Sequence, residues 1–238
     1  MDHPPFEPFG PAHLAVLALT VLVPALLAWA VRRPGGEAWK SPIAAALALT
    51  LVANQIVLAA VALHNGLPWA DWAPMQLCDW VTFLCAAALL RRHQLLFELT
   101  YFWGLAGTFQ AVLTPDLPFG FPHPSFLSFQ IAHAGIVVAV LYLVLGLGQR
   151  PVPRSILRAF LWIQVYLAAA ALVNVAFGTN FGYLRAKPAR ASLLDLLGPW
   201  PWYILSLEAL ALVLFTVLYL PFVIADWRAW RRGAATAS

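Results

Sequence analysis

The chain has 238 residues, of which 62% are hydrophobic and 10% charged, and its formal net charge is +4. A soluble domain carries about 25% charged residues, so this composition, with a mean hydropathy of +0.79, excludes an ordinary soluble globule and points to an integral membrane protein. A pI near 9.4 would suit a nucleic-acid partner, but the basic residues are placed as a membrane topology requires and no nucleic acid is expected.

Seven apolar stretches are long enough, or nearly so, to cross roughly 30 Å of hydrocarbon: about 12–31, 42–63, 75–91, 95–113, 127–148, 155–177 and 202–224. None alternates apolar and polar residues as a barrel strand would, so the expected fold class is all-α, a polytopic membrane protein of seven transmembrane helices forming one domain over 1–238. The segment before the first stretch carries Asp2 and Glu7 but no Lys or Arg. Ala28-Trp29-Ala30 resembles a leader cleavage site, yet the positive charges follow the apolar run, as for a retained first helix. Arg32, Arg33, Lys40, Arg91, Arg92, Arg150, Arg154, Arg158, Arg228, Arg231 and Arg232 follow the odd-numbered stretches, against Arg185, Lys187 and Arg190 on the other side. This alternation predicts an N-terminus outside and a C-terminus in the cytoplasm. The expected location is integral to a membrane.

Taken in chain order, each stretch carries polar residues where hydrocarbon should be. The second holds Asn54 and Gln55, read as interhelical hydrogen-bonding groups. The third, the shortest, opens with Gln76, Cys78 and Asp79; Cys85 lies two turns on, too far for a disulfide with Cys78, and reads as a small apolar residue. The fourth has a stripe of small residues, Gly104, Gly107 and Ala111, suited to close helix packing, and ends with Gln110 before Asp116. The fifth places Gln130 and His133 three residues apart. The sixth ends at Asn174, followed by Asn180 in a connection, Gly178–Pro201, long enough to hold a short helix at Ser192–Leu197. The seventh carries Glu208 about 9 Å inside the apolar run. His13, His93 and His123 read as interfacial or loop residues.

By helical rise most of these groups fall within about 10 Å of the outer interface. Polar groups at one level on several helices predict a shared pocket, since each would be costly facing lipid. The chemistry the set supports is nucleophilic. A thiol near neutral pH needs a base or a positive partner. Cys78 is the candidate nucleophile and His133 the candidate base. Asp79, Asp116 and Glu208 are candidates to orient the imidazole; Gln110, Asn174 and Asn180 are candidates to donate hydrogen bonds to an oxyanion. Gln76, Gln130, Trp103, Tyr183 and Trp202 are candidates to line the substrate pocket.

The strings MQLCDW at Met75–Trp80, YFWGLAGTFQAVLTPDL at Tyr101–Leu117, FLSFQIAHAG at Phe126–Gly135, NVAFGTNFGYLRAKP at Asn174–Pro188 and LLDLLGPWPWY at Leu193–Tyr203 resemble the YwaF-like bacterial integral membrane proteins. That resemblance implies the bacterial cytoplasmic membrane as the location. The strings are more distantly similar to a eukaryotic multi-pass acyltransferase that moves polyunsaturated chains onto ether lysophospholipids. That resemblance implies a cysteine at the start of a helix, matching Cys78. A further likeness, to the androgen-induced-gene-type membrane hydrolases, which pair a threonine with an intramembrane histidine, matches that histidine to His133.

The expected function is a lipid acyltransferase or hydrolase acting through a cysteine thioester, with membrane lipids as substrate and no cofactor. A transporter or channel could use the same polar groups to line a path, although no internal repeat is visible. A receptor or assembly factor with a buried polar network is a third reading; the seventh stretch has no lysine for a retinal Schiff base. A metal-dependent hydrolase would have to draw on His64, Asp79, His133 and Glu208, without any H-x-x-x-H pair.

Overall fold

The computed structural model describes residues 4–188 and 193–236, and their regular structure is helical, with one isolated bridge between Pro5 and Phe119. Helix α1 is Pro11–Arg32 and α2 is Lys40–His64, entered through a 3-10 turn at Gly36–Trp39. A single turn, α3, Trp69–Trp72, precedes α4, Leu77–Arg91. Then α5, Gln94–Trp103, runs through a π-helical turn at Gly104–Thr108 into α6, Phe109–Leu113. The chain continues as α7, Pro124–Leu145, α8, Ser155–Phe177, and α9, Trp202–Thr236. Within the connection before α9, Leu193–Leu197 forms the expected short turn as a 3-10 helix; Arg190 and Ser192 lie outside the described residues.

Helix occupies all seven expected stretches. Five of the described helices, α1, α2, α7, α8 and α9, are long and apolar enough to cross a membrane. The third stretch is a helix of 15 residues, with a rise of about 22 Å, and the fourth is interrupted by its π turn. These two lie inward. Val81, Cys85, Ala88 and Leu89 of α4 and Phe97 and Phe102 of α5 are almost wholly buried, in one cluster with Ile136, Val140 and Leu143 of α7 and Ala159 of α8. Helix α7 is the most enclosed of the long helices, with half of its apolar window buried against 6% for α9. The outer helices expose large apolar side chains such as Leu49, Leu172 and Val175, surface that water would penalise and lipid does not.

Sequence explains several of these local choices. Gly104 lets α5 approach α7, since a Cβ there would stand 3.1 Å from Ile136 Cγ2. Gly107 meets only Leu77 Cδ2, at 3.7 Å, so of the two glycines in the small-residue stripe Gly104 is the one that close packing requires. Asn54 and Gln55 join helices as expected: Asn54 Nδ2 donates to Ser128 O on α7 at 3.1 Å, and Gln55 Nε2 to Asp79 Oδ1 on α4 at 3.1 Å.

His13 is 1% exposed, enclosed by protein neighbours at the start of α1. Its Nδ1 accepts the Phe9 N–H at 2.9 Å, so Nε2 carries the proton and donates to Val112 O at 2.8 Å, fastening the start of α1 to the end of α6. The sequence spacing alone did not pair residues so far apart.

The basic residues meet at one end of the bundle. Arg92 donates to Ser41 Oγ at 3.3 Å, Gln149 to Arg92 O at 3.3 Å, and Arg150 pairs with Asp226 at 2.6 Å. Just inside this end Arg158 pairs at 2.6 Å with Glu98, which is fully buried. At the other end the chain after α8 folds over the start of α4: Gln76 Oε1 accepts the Gly182 N–H at 3.1 Å, and the Tyr203 hydroxyl donates to Tyr183 O. Gly182 has φ +65, and a Cβ on it would meet the Tyr166 hydroxyl at 2.9 Å, so glycine is the residue that this close approach admits.

Candidate functional site

A cavity of about 270 Å³ lies between α2, α4 and α7. Helix α2 contributes Gln55 and Leu58, α4 contributes Cys78, Asp79 and Thr82, and α7 contributes Ser125, Ser128, Phe129, Ala132 and His133; Leu117 closes it from the link after α6. Cys78 and His133, brought from stretches 55 residues apart in sequence, therefore line one space.

The position of Cys78 follows from how α4 begins. Gln76 is the N-cap, and the Asp79 carboxylate returns to accept its backbone N–H through Oδ2 at 2.9 Å, one half of a capping box. The other oxygen takes the Gln55 hydrogen bond. Both carboxylate oxygens are thus engaged, and the first turn that carries Cys78 is fixed to α2. Helix N-termini present free N–H groups and a positive dipole end, which favour negative charge developing nearby. Thr82, one turn further, spends its hydroxyl on Cys78 O at 2.9 Å.

His133 is oriented by its own helix. Its Nδ1 stands 2.9 Å from Phe129 O. A carbonyl can only accept, so Nδ1 carries the proton and Nε2 keeps its lone pair. The imidazole also stacks on the Phe129 ring, at 4.1 Å between centroids and 25° between planes. The expected acidic orienter is therefore replaced by a backbone carbonyl and an aromatic face. Asp79 lines the same cavity but is held by Gln55 and Gln76. Asp116 is exposed beyond α6, and Glu208 is half-buried on α9, lining neither this cavity nor the one described below.

The expected oxyanion donors lie elsewhere. Asn174, 1% exposed, donates to Phe181 O at 2.9 Å and accepts from Thr179 Oγ1 at 2.8 Å and Phe181 N at 2.7 Å. Asn180 donates to Ala186 O at 2.8 Å and accepts from Arg185 N at 2.9 Å. Both shape the chain after α8 through its backbone, as Asn side chains do in turns. Gln110 bonds Thr114 Oγ1 at 3.0 Å within its own turn.

Of the residues expected to line the pocket, Gln76 is engaged with Gly182, and Trp103 is a core residue, 2% exposed, donating to Ala159 O at 3.1 Å. Trp202 is exposed at the start of α9. Tyr183 lies in the connection after α8, its phenol pushed above its ordinary range by burial and then by the Asp116 carboxylate. Gln130 is on the far side of α7 from this cavity and lines another.

Sequence reading did not count Ser125, Ser128 or Thr82 among the site residues, although Thr82 shares a helix face with Cys78. The signal was present: Ser125, Ser128, Ala132 and His133 fall on one face by helical spacing, and Thr82 stands four residues after Cys78. It also passed over Glu98. The set considered for zinc is not gathered, since among the described residues no three His, Cys, Asp or Glu side chains are placed to share a metal ion.

The sequence model of the TMEM164 family matches residues 8–219, and the chain belongs to that family. This corrects the likeness to the YwaF-like bacterial proteins, and with it the bacterial cytoplasmic membrane that likeness implied; membership of a membrane family and the apolar helices establish an integral membrane protein. No curated protein and no solved structure matches the chain.

Proposed function

We propose that this member of the TMEM164 family is an intramembrane acyl-transfer enzyme working through a thioester on Cys78 with His133 as base. The observation that carries the reading is the shared cavity of a thiol and an imidazole whose Nε2 is left as the acceptor nitrogen. In the first half-reaction Nε2 takes the Cys78 proton as Sγ attacks a phospholipid ester carbonyl. The ester C–O bond breaks, and the leaving alkoxide receives the proton from the imidazolium, giving a lysolipid alcohol and an acyl thioester. In the second, Nε2 deprotonates an acceptor hydroxyl, from a lysolipid or water, which attacks the thioester and returns the thiol. The first-turn amides of α4 and the Ser128 hydroxyl would face the oxyanion.

The cavity is just below the 300–1,000 Å³ usual for ligand sites. It suits the reacting ester and the first carbons of a chain, with the remainder of the lipid outside among the helices. The seven-crossing topology, with the basic end in the cytoplasm, belongs to the same proposal; it puts the cavity toward the outer leaflet, at the depth of lipid esters.

The test is intact mass of the purified protein after incubation with mixed phospholipids. Wild type is expected to gain a hydroxylamine-labile acyl adduct and Cys78→Ala none. His133→Ala should slow adduct formation by about 10²–10⁴-fold. Folded wild type that gains no adduct would overturn the reading, and solute flux in liposomes surviving Cys78→Ala would favour a transport role instead.

A further inference from the structure

The face of α7 turned away from Cys78 and His133 lines a second cavity, about 420 Å³, against α1. Its walls are apolar, among them Val16, Leu19, Phe126, Ile131 and Val138. Two residues with polar side chains are among its lining, Thr20 and Gln130. Thr20 is spent, donating to Val16 O at 2.8 Å. Gln130 is not: it is 6% exposed, and neither Oε1 nor Nε2 has a hydrogen-bond partner among the described residues. A buried carboxamide with both ends open is costly in a folded chain and calls for a ligand or a water.

The shape argues for a ligand. The lining runs from Ala12 to Val23 on α1 and from Phe126 to Val138 on α7, about 16–18 Å along the helix axes. Gln130 lies near the outer end of this slot, and Val138 about 12 Å deeper. One polar group at the mouth of a long apolar slot matches an amphiphile whose carbonyl meets the amide and whose chain continues inward. Exposed Leu19, Leu127 and Ile131 flank the slot, so it opens to the hydrocarbon from which such a chain would enter. Apolar cavities stay dry, and a lone water would satisfy Gln130 but leave the deeper walls without contacts.

We propose that the α1–α7 cleft binds a single lipid acyl chain, with Gln130 Nε2 donating to its carbonyl oxygen. The site stands on its own and does not require thioester chemistry at Cys78.

The test uses the full chain in phosphatidylcholine nanodiscs with palmitate carrying a chain diazirine and, separately, phosphatidylcholine bearing the same labelled chain. The two probes distinguish a free acid from a glycerolipid ester as the source of the carbonyl. Mapped crosslinks are expected to concentrate on α1 and α7 peptides and to be displaced saturably by excess unlabelled lipid. Gln130→Leu should reduce this labelling about fivefold, and Ala15→Phe, which fills the slot from its exposed side, should remove it. Cys78→Ala should leave it unchanged. Labelling spread evenly over the lipid-facing helices without saturation would mean bulk lipid only, and equal labelling of folded Gln130→Leu would mean that the amide holds a water or nothing; either result overturns the site. Saturation in wild type needs no variant to fold.

Discussion

Glu98 shows how much one side chain can decide. It is fully buried, accepts from Arg158 at 2.6 Å and from Gln94 at 2.8 Å through one oxygen, and its other oxygen is without a partner among the described residues. The pair can be retained without being strongly stabilising as a whole, yet removing one charge strands the other. Glu98→Gln is expected to cost about 1.5–3 kcal/mol, read as a lowered thermal unfolding temperature in detergent. Because Arg158 is 40% exposed, the loss should stay toward the lower end of that range, as the stranded guanidinium can rehydrate. Cys78 and Cys85 make the contrast plain. They share a helix and a residue type, but Cys78 lines a cavity with a histidine while Cys85 is fully buried among apolar neighbours.

At the scale of elements, the contact of α5 with α7 turns on a single glycine. Gly104→Val would drive a branched side chain into Ile136 and Val140, whose methyl groups already stand 3.1 and 3.4 Å from the Cβ position. Overpacking of this kind costs about 1–3 kcal/mol. Gly107→Ala meets open space apart from one methyl at 3.7 Å and should be neutral or gain up to about 1 kcal/mol in helix propensity. Thermal unfolding of the two variants side by side checks the pair; equal destabilisation would show that the packing argument is misplaced. The first turn of α4 behaves as a second unit. Asp79 links it to α2 through Gln55, and Gln76 links it to the chain after α8 through Gly182. Asp79, expected to orient the imidazole, and Gln76, expected to line the pocket, thus support the turn that carries Cys78.

For the whole molecule, the gathering of Arg92, Arg150 and Arg158 with their partners at one end makes topology testable. A membrane-impermeant thiol reagent applied to intact cells should label a cysteine placed at Lys187 and spare one at Arg232, in a background with Cys78 and Cys85 replaced. The reverse pattern would invert the orientation, and with it the leaflet toward which the Cys78–His133 cavity lies.

Membrane residence and the positions of the helices were determined by sequence alone, because hydropathy and length are local properties that burial in lipid does not alter. That Cys78 and His133 lie at one level was legible for the same reason, since helical rise sets depth; that they line one cavity was not. The assignment of groups to cavities was decided only by the tertiary structure. Gln130 and His133 sit three residues apart on α7, about 60° around its axis, and α7 has a cavity on either side of it. Which side each side chain serves depends on where α1, α2 and α4 pack, and that contact is made by residues remote in sequence. Asn174 and Asn180 were legible as polar groups near the interface, but their partners, the Thr179 hydroxyl and backbone atoms of the chain after α8, belong to a turn that helical spacing does not describe. Spacing places a residue along a helix; the direction in which it works is fixed by what packs beside it.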